Sequence, residues 1–314
     1  MSRVPVTVIV TVRNEAVTID ALVDSLQHGS RVPDEIVIAD GGSTDGTYER
    51  LQARGAADAR LRALRAPGNR SVGRNAAIRA ARHAVIACTD AGVEVAPEWL
   101  VELTRRFEED PTVDVVAGFY QPAGATWFER AAGVVSAPSL REINPARFLP
   151  STRSIAFRRT AFDRVGGFDE SLAHNEDTPF ALALKRSGCK FAFAPEAIVR
   201  WRPRGTLRAF LHQHRRFGFG DGESRVQGWF YGTIAAKYAI GATLLVLGMW
   251  MPVARWTLAV GGALFMAQQA RRGIGKIPFV EAVFIVPALK VGYDIAYLTG
   301  YAGGRIGRRR SSES

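Results

Sequence analysis

Val6-Thr7-Val8-Ile9-Val10-Thr11-Val12 is an unbroken β-branched run, the pattern of a strand buried on both faces of a sheet. It stops at Arg13-Asn14-Glu15, after which Ile19, Leu22, Val23 and Leu26 recur at i, i+3, i+4 and i+7 and predict a helix with one apolar face, closed near Gly29. The alternation then repeats. Glu35 to Ala39 predicts a second strand ending at Asp40, and Gly41 to Thr47 a loop whose glycines let backbone approach a ligand. Arg70 to Arg82 predicts a helix, the apolar run from Val85 that ends on Asp90 a buried strand delivering that carboxylate, Pro97 to Phe107 a helix, and Val113 to Ala117 a further strand. Alternating βα units of this kind predict an α/β fold with a mostly parallel sheet flanked by helices. From Thr126 to Arg153 three prolines break any long element, and the pattern reads as a connecting region. Ser154 to Phe157 is strand-like, Thr160 to Val165 a short helix stopped by Gly166-Gly167, and Glu176-Asp177 opens a helix that runs to Ser187.

Beyond Arg225 the pattern changes. Tyr238 to Ala254 carries no charge, Arg255 interrupts, and Trp256 to Ala270 is again uncharged before Arg271-Arg272, so a membrane-inserted helical hairpin is expected. Phe279 to Leu298 is apolar but holds Glu281, Lys290 and Asp294, and an interfacial helix competes there with a third span. With both Arg271-Arg272 and the tail Arg305 to Arg310 on the cytoplasmic side, two spans fit and three do not. The expected division is 1–225 for the α/β domain and 226–314 for membrane-anchoring helices and a basic tail.

Composition narrows the functional classes. A chain of 314 residues buries a sizeable core without staples, and its two cysteines, Cys88 and Cys189, form neither a disulfide framework nor a zinc spacing. Residues 1–12 lack a basic n-region and a small-residue cleavage site, so no secretory signal is expected and the N-terminal part belongs in the cytosol. A net charge of +11 calls for an anionic partner: nucleic acid, an anionic membrane, or a phosphorylated small molecule. Nucleic acid is disfavoured, because no aromatic RNA motif, helix-turn-helix or zinc spacing is present. Neither a GxGxxG after a strand nor a Walker A loop occurs.

The candidate chemistry lies at strand ends and helix starts. Asp40 and Asp90 each end a strand, where open α/β sheets bind ligands, though an aspartate there also caps helices. Glu176 and Asp177 suit the first turn of a helix by the dipole alone. Arg208, Arg215 and Arg216 fit an amphipathic basic helix on a membrane as well as they fit a site.

In order and type, Asn14-Glu15, Asp40, the Gly41 to Thr47 loop, Asp90 with Glu94, Glu176-Asp177 and Gln213-His214-Arg215-Arg216-Phe217 resemble the family 2 inverting glycosyltransferases of the GT-A fold. The resemblance covers roughly Pro5 to Asp221 and rests on the order of these motifs along the chain. It implies transfer of a sugar from a nucleotide-diphosphate donor to a glycan or lipid-linked acceptor hydroxyl, at the cytoplasmic face of the cell membrane. Val12, Asn14 and Glu15 stand for the first nucleotide-contacting loop, and Asp40 for the carboxylate that accepts from the base's ring N–H. Asp90 stands for the first acid of a D-x-D motif that holds the diphosphate through Mg²⁺ or Mn²⁺; Gly92 fills the second acid position, leaving Glu94 as the candidate second metal ligand. Arg70 and Arg74 offset diphosphate charge. Asp177 stands for the general base, with Glu176 orienting it or sharing its proton. Gln213, Arg216 and Phe217 resemble a Q-x-x-R-W motif that meets the acceptor or the diphosphate, with Phe217 in place of Trp. Trp201-Arg202-Pro203 lies where some relatives carry a metal-binding His, and carries none. Two other readings stand beside this one: a sugar-nucleotide nucleotidyltransferase, weakened by the lack of an N-terminal glycine-rich loop, and a catalytically decayed membrane scaffold, for which Gly92 would be the mark.

Overall fold

A computed structural model describes residues 3–172 and 174–312. Met1 and the side chains of Arg308 to Arg310, both used in the reading above, lie outside the described residues. The chain forms two compact units: one up to Gln121 together with Leu140–Arg202, the other Pro122–Ser139 together with Pro203–Ser314. The second unit thus begins earlier than 226 and takes in a short stretch from mid-chain.

In the first unit the β-branched runs become the centre of an eight-stranded sheet. β1 (Val6–Val12) lies between β2 (Glu35–Asp40) and β4 (Val85–Cys88), with β3 (Leu61–Arg65) outside β2, and these four strands are parallel. Beyond β4 the sheet turns antiparallel through β7 (Ile155–Arg158) and β6 (Val115–Pro122), then reaches β8 (Phe191–Trp201) and β5 (Val93–Val95). The sheet is therefore mixed, with its parallel half where the pattern was continuous. Val6, Val8 and Val10 pack one face and Ile9 the other. Six helices accompany these strands: α1 (Ile19–Gln27), α2 (Thr47–Ala57), α3 (Arg70–Ala80), α4 (Trp99–Glu109), α6 (Arg159–Val165) and α7 (Asp177–Arg186). α3 lies so close to β1 that a Cβ on Gly73 would stand 2.9 Å from the Thr11 methyl. That approach brings its neighbour Arg74 to the C-terminal edge of the parallel strands.

The second unit is helical. The stretch read as a connecting region contains α5 (Trp127–Ser136), opened by a reciprocal cap in which Thr126 and Glu129 satisfy each other's backbone N–H groups. Thr126-x-x-Glu129 was the available sequence signal, and the prolines beyond it masked it. α8 (Leu207–Glu223), α9 (Gly228–Leu247), α10 (Pro252–Gly273), a π-helical turn (Glu281–Ile285) and α11 (Val286–Ser312) complete the unit. The hairpin turn falls at Gly248–Met251, not at Arg255, because Gly248 and Pro252 break helices while a single charge does not. Among the described residues two helical segments are long and apolar enough to cross a membrane, Gly228–Leu247 and Glu281–Gly307. The second is the segment whose charges argued against a span. Its charges are neutralised internally: Glu281 accepts from Arg130, and the fully buried Asp294 accepts from Lys237 and Lys290, both at 2.6 Å, and from the Tyr238 hydroxyl at 3.1 Å.

α8 and α11 run parallel, packed through glycines four residues apart on each helix. A Cβ on Gly218 or Gly222 would overlap the carbonyls of Tyr297 and Tyr301, and one on Gly300 or Gly304 those of Arg215 and Phe219. Gly300→Leu is therefore expected to destabilise this unit by about 1–3 kcal/mol through overpacking. Gly241→Leu on α9, where an added Cβ meets nothing within 4 Å, serves as the control. Thermal unfolding of the two detergent-solubilised variants distinguishes a tight helix contact from general intolerance of glycine replacement.

Candidate active site

Parallel strands align their peptide chains so that the loops leaving them gather at one edge. Val12 and Asp40 are register partners at the ends of β1 and β2, and Asp90 follows β4 on the other side of β1. Asp40 is fully buried. Its Oδ1 accepts from the backbone N–H groups of Gly42 (2.9 Å) and Ser43 (2.8 Å), whereas Oδ2 is buried without a hydrogen-bond partner. A buried carboxylate oxygen without a donor is a costly arrangement, and a ligand N–H would complete it. Asn14 sits at φ 57°, and this left-handed turn points its backbone N–H to Ser43 Oγ (2.8 Å) while its side-chain oxygen accepts from Thr44 N–H (2.9 Å). The first two strand-end loops are thus stitched together, with Glu15 N–H donating to Thr47 Oγ1 at 2.9 Å.

The centre of the site is Arg74. Its guanidinium is 3% exposed, donating from Nη1 to Glu176 and from Nη2 to Asp90 Oδ1 at 2.9 Å. Each end of this bridge has its own support. Asn75, the next residue on α3, donates to the Phe168 carbonyl (2.8 Å) and accepts from Phe168 N–H (3.0 Å), and Asn69 donates to the carbonyls of Glu170 (2.6 Å) and Leu172 (3.1 Å). These bonds hold the segment leading into α7, whose N-terminus carries Glu176 and Asp177. Stacked rings of Phe168 and Phe180, 4.0 Å apart, pack the same corner.

Three carboxyls near one guanidinium titrate differently. For Asp90 and Glu176, burial works against ionisation, but the Arg74 charge, aided by Arg70, outweighs it and holds both below the usual carboxylate range. Asp177 is pushed up, first by burial and then by the negative charge of Glu176, against the attraction of Arg74 and Arg153. Its Oδ2 accepts from Ser151 Oγ at 3.0 Å. Geometry decides the split, since Arg74 donates directly to Glu176 and Asp90 and not to Asp177. Arg70 lies exposed at the first turn of α3.

Arg153 belongs to this centre and was not singled out from the sequence. Its Nε lies 3.8 Å from Asp90 Oδ2, and its guanidinium rests over the rings of Tyr120 and Trp201, 5.6 and 5.3 Å from their centroids. No local pattern marks it, because its partners come from β4, β6 and β8.

Glu94 sits on β5 with its side chain 70% exposed, paired at 3.5 Å with Arg200, its register partner on β8. Among the described residues no group of three or more His, Cys, Asp or Glu is arranged to hold a metal. A metal held jointly with a diphosphate needs fewer protein ligands, one or two carboxylates sufficing. Asp90 suits that role, because its Oδ2 is beyond hydrogen-bond distance of Arg153. In the second unit, α8 buries His214, whose Nδ1 lies 2.7 Å from the Phe210 carbonyl and whose ring packs on Tyr293. Gln213 and Phe217 on that helix are half-buried, and Arg216 is exposed beside Arg215.

Residues 7–166 match the family described as Glycosyl transferase family 2. The chain is 27% identical to the succinoglycan biosynthesis protein ExoA of Rhizobium meliloti, covering 91% of this chain and 93% of that protein. It is 28% identical to the uncharacterized glycosyltransferase EpsJ of Bacillus subtilis over 63% of this chain and 60% of that one. In fold it is similar to the mannosyltransferase PcManGT from Pyrobaculum calidifontis, solved in complex with GDP-Man and Mn²⁺, with a TM-score of 0.66 at 19% identity over 95% of this chain and 88% of that one. The fold is thus the GT-A type, and with the family pattern matched over more than half its length, the chain belongs to glycosyl transferase family 2 and is a glycosyltransferase.

Proposed function

We propose that this glycosyltransferase is an inverting enzyme that moves a sugar from a nucleoside-diphosphate donor to an acceptor hydroxyl, with Asp177 as the general base. The observation that carries this reading is the arrangement around Arg74: it donates to Glu176 and to Asp90 but not to Asp177, so the first two lie below the usual carboxylate range while burial and the charge of Glu176 push Asp177 above it. A base whose pKa approaches the working pH accepts a hydroxyl proton most effectively. Inversion needs one such group opposite the leaving diphosphate, and a second nucleophilic carboxylate is not required.

The roles follow from position. Asp40, with Oδ2 lacking a donor, accepts from a base N–H. Val12, Asn14 and Glu15 line the nucleotide from the first loop. Arg70 and the half-exposed side of Asp90 face the diphosphate, and a divalent cation bound to Asp90 would supply Lewis-acid stabilisation of the leaving group. Arg74 orders Asp90 and Glu176 and neutralises part of their charge. Glu176 acts on Asp177 through its field. Gln213, Arg216 and Phe217 are assigned to acceptor or diphosphate contact from the α8 motif. Support for a membrane-associated acceptor, glycan or lipid-linked, comes from the two apolar helices and from the polysaccharide-biosynthesis name of ExoA. Arg271-Arg272 at the end of α10 favours the cytoplasmic face by the positive-inside rule.

Asp177→Asn should lower kcat by roughly 10²–10⁴ while donor affinity stays within a few-fold. Single-turnover kinetics with a donor-binding titration separates the two; an equal loss in both returns Asp177 to a structural role. The same variant tests the electrostatics. Because folding raises the Asp177 pKa, the fold prefers the protonated form, a benefit that is full below the unfolded value of about 3.9 and lost once pH passes the raised value. Asparagine mimics the protonated state at every pH. Asp177→Asn should therefore unfold at a higher temperature than the parent at neutral pH, with the gap closing in acid.

The acid limb of kcat/KM gives a third check. Glu176→Gln removes a negative charge beside Asp177 and should move the limb to lower pH; Arg153→Gln removes a positive one and should move it higher. Shifts in the same direction would show that Asp177 is not the titrating group. Finally, Arg74→Met leaves the buried Glu176 without its hydrogen-bonded partner and should cost about 3–5 kcal/mol, the scale for breaking a buried pair. Chemical denaturation at neutral pH measures it.

A further inference from the structure

Gly92 stands at the position of a missing acid, and the space beside it is not empty of carboxylate. The residue has φ 71°, and a Cβ built on it meets one atom within 4 Å: the Oε2 of Glu15, at 3.8 Å. A side chain at 92 would begin 3.8 Å from Glu15 Oε2, so position 92 and the Glu15 carboxylate border the same space. Glu15 belongs to a different element, the loop after β1, and arrives there by topology. β1 and β4 are adjacent and parallel, with Ile9 beside Cys88, so the loops that carry Glu15 and Asp90 leave the same edge side by side. The position is braced, since Glu15 N–H donates to Thr47 Oγ1 (2.9 Å) and Thr18 Oγ1 donates to Glu15 Oε2 (2.5 Å).

We propose that Glu15 supplies the second carboxylate of the donor's cation site, so that Asp90 and Glu15 together hold Mg²⁺ or Mn²⁺ against the diphosphate. This rests on the donor reading above. Charge argues the same way. Asp90 shares its Oδ1 with Arg74, so alone it offers a dication a half-spent charge. A second hard oxygen donor from Glu15 restores it, and two carboxylates with substrate phosphates are the usual complement for such a cation. Glu94, the other candidate, is engaged with Arg200.

The test uses the full-length protein in detergent and Mn²⁺ followed by electron paramagnetic resonance, with GDP and UDP each as the nucleotide. Nucleotide affinity is measured with and without Mn²⁺. The parent protein should bind at least one nucleotide more tightly with Mn²⁺. Glu15→Gln should lose about tenfold or more in Mn²⁺ affinity and with it the gain that Mn²⁺ gives the nucleotide. Glu15→Asp, which keeps the charge, should retain part of that gain, and Gly92→Asp placed in the Glu15→Gln background should restore part of it. Parental Mn²⁺ affinity in Glu15→Gln overturns the assignment. So does an equal loss of nucleotide affinity with and without Mn²⁺, which would leave Glu15 a nucleotide contact and no more. Nucleotide binding that gains nothing from Mn²⁺ in the parent overturns this inference alone; failure of the parent to bind either nucleotide under any condition overturns the donor reading with it.

Discussion

A buried guanidinium bridging two carboxylates organises the candidate active site. Taking Arg74, Asp90 and Glu176 out of water carries a desolvation cost of several kcal/mol per ion, offset only because the bridge is hydrogen-bonded at both ends. The elements around it read as the means of holding that geometry. Gly73 lets α3 press against β1, Asn69 and Asn75 fix the backbone before α7, and Phe168 and Phe180 fill the corner beneath. Without the close approach of α3, the strand-end acid and the helix-start acid would have no shared counter-ion. The raised Asp177 is the residue of that balance. One positive charge is hydrogen-bonded to two acids, and the third, adjacent in sequence to one of them, is left with its burial and with that neighbour's negative charge.

What the sequence revealed follows from where the information lies. β1, β2 and β4 were legible because strands buried on both faces are continuous apolar runs, and their ends placed Asp40 and Asp90 without further help. β8 was not, because Phe191 to Trp201 mixes the buried Ala194, Ala197 and Val199 with Pro195, Glu196 and Arg200. β5, three residues long, exists only by pairing with β8. The same limit governs the site. Glu176 and Asp177 were visible as an acidic pair at a helix start, but their opposite titration depends on Arg74 from about a hundred residues earlier. Arg153 was invisible for that reason. Glu94 drew attention by its spacing from Asp90, while its actual partner, Arg200, lies on a strand the sequence did not announce.

The helical unit shows charge counting fail in a related way. Reading along the chain, Lys290 and Asp294 lower the hydropathy of their segment and Arg255 divides its neighbours. In space, a charge that meets its counter-ion opposes burial less than a lone one, and glycine with proline, not arginine, sets the turn. Hydropathy taken one residue at a time has no access to either fact.

Asp294 has a consequence for how the chain is assembled. One of its two ammonium partners, Lys290, travels on the same helix, and the other, Lys237, lies on α9 and is synthesised more than fifty residues sooner. The ammonium group is therefore already in place when the acidic helix emerges from the ribosome. Where these helices enter a bilayer, α11 is a client of α9: its entry is made tolerable by a neighbour, and the order of the two helices along the chain is itself part of how the protein is built.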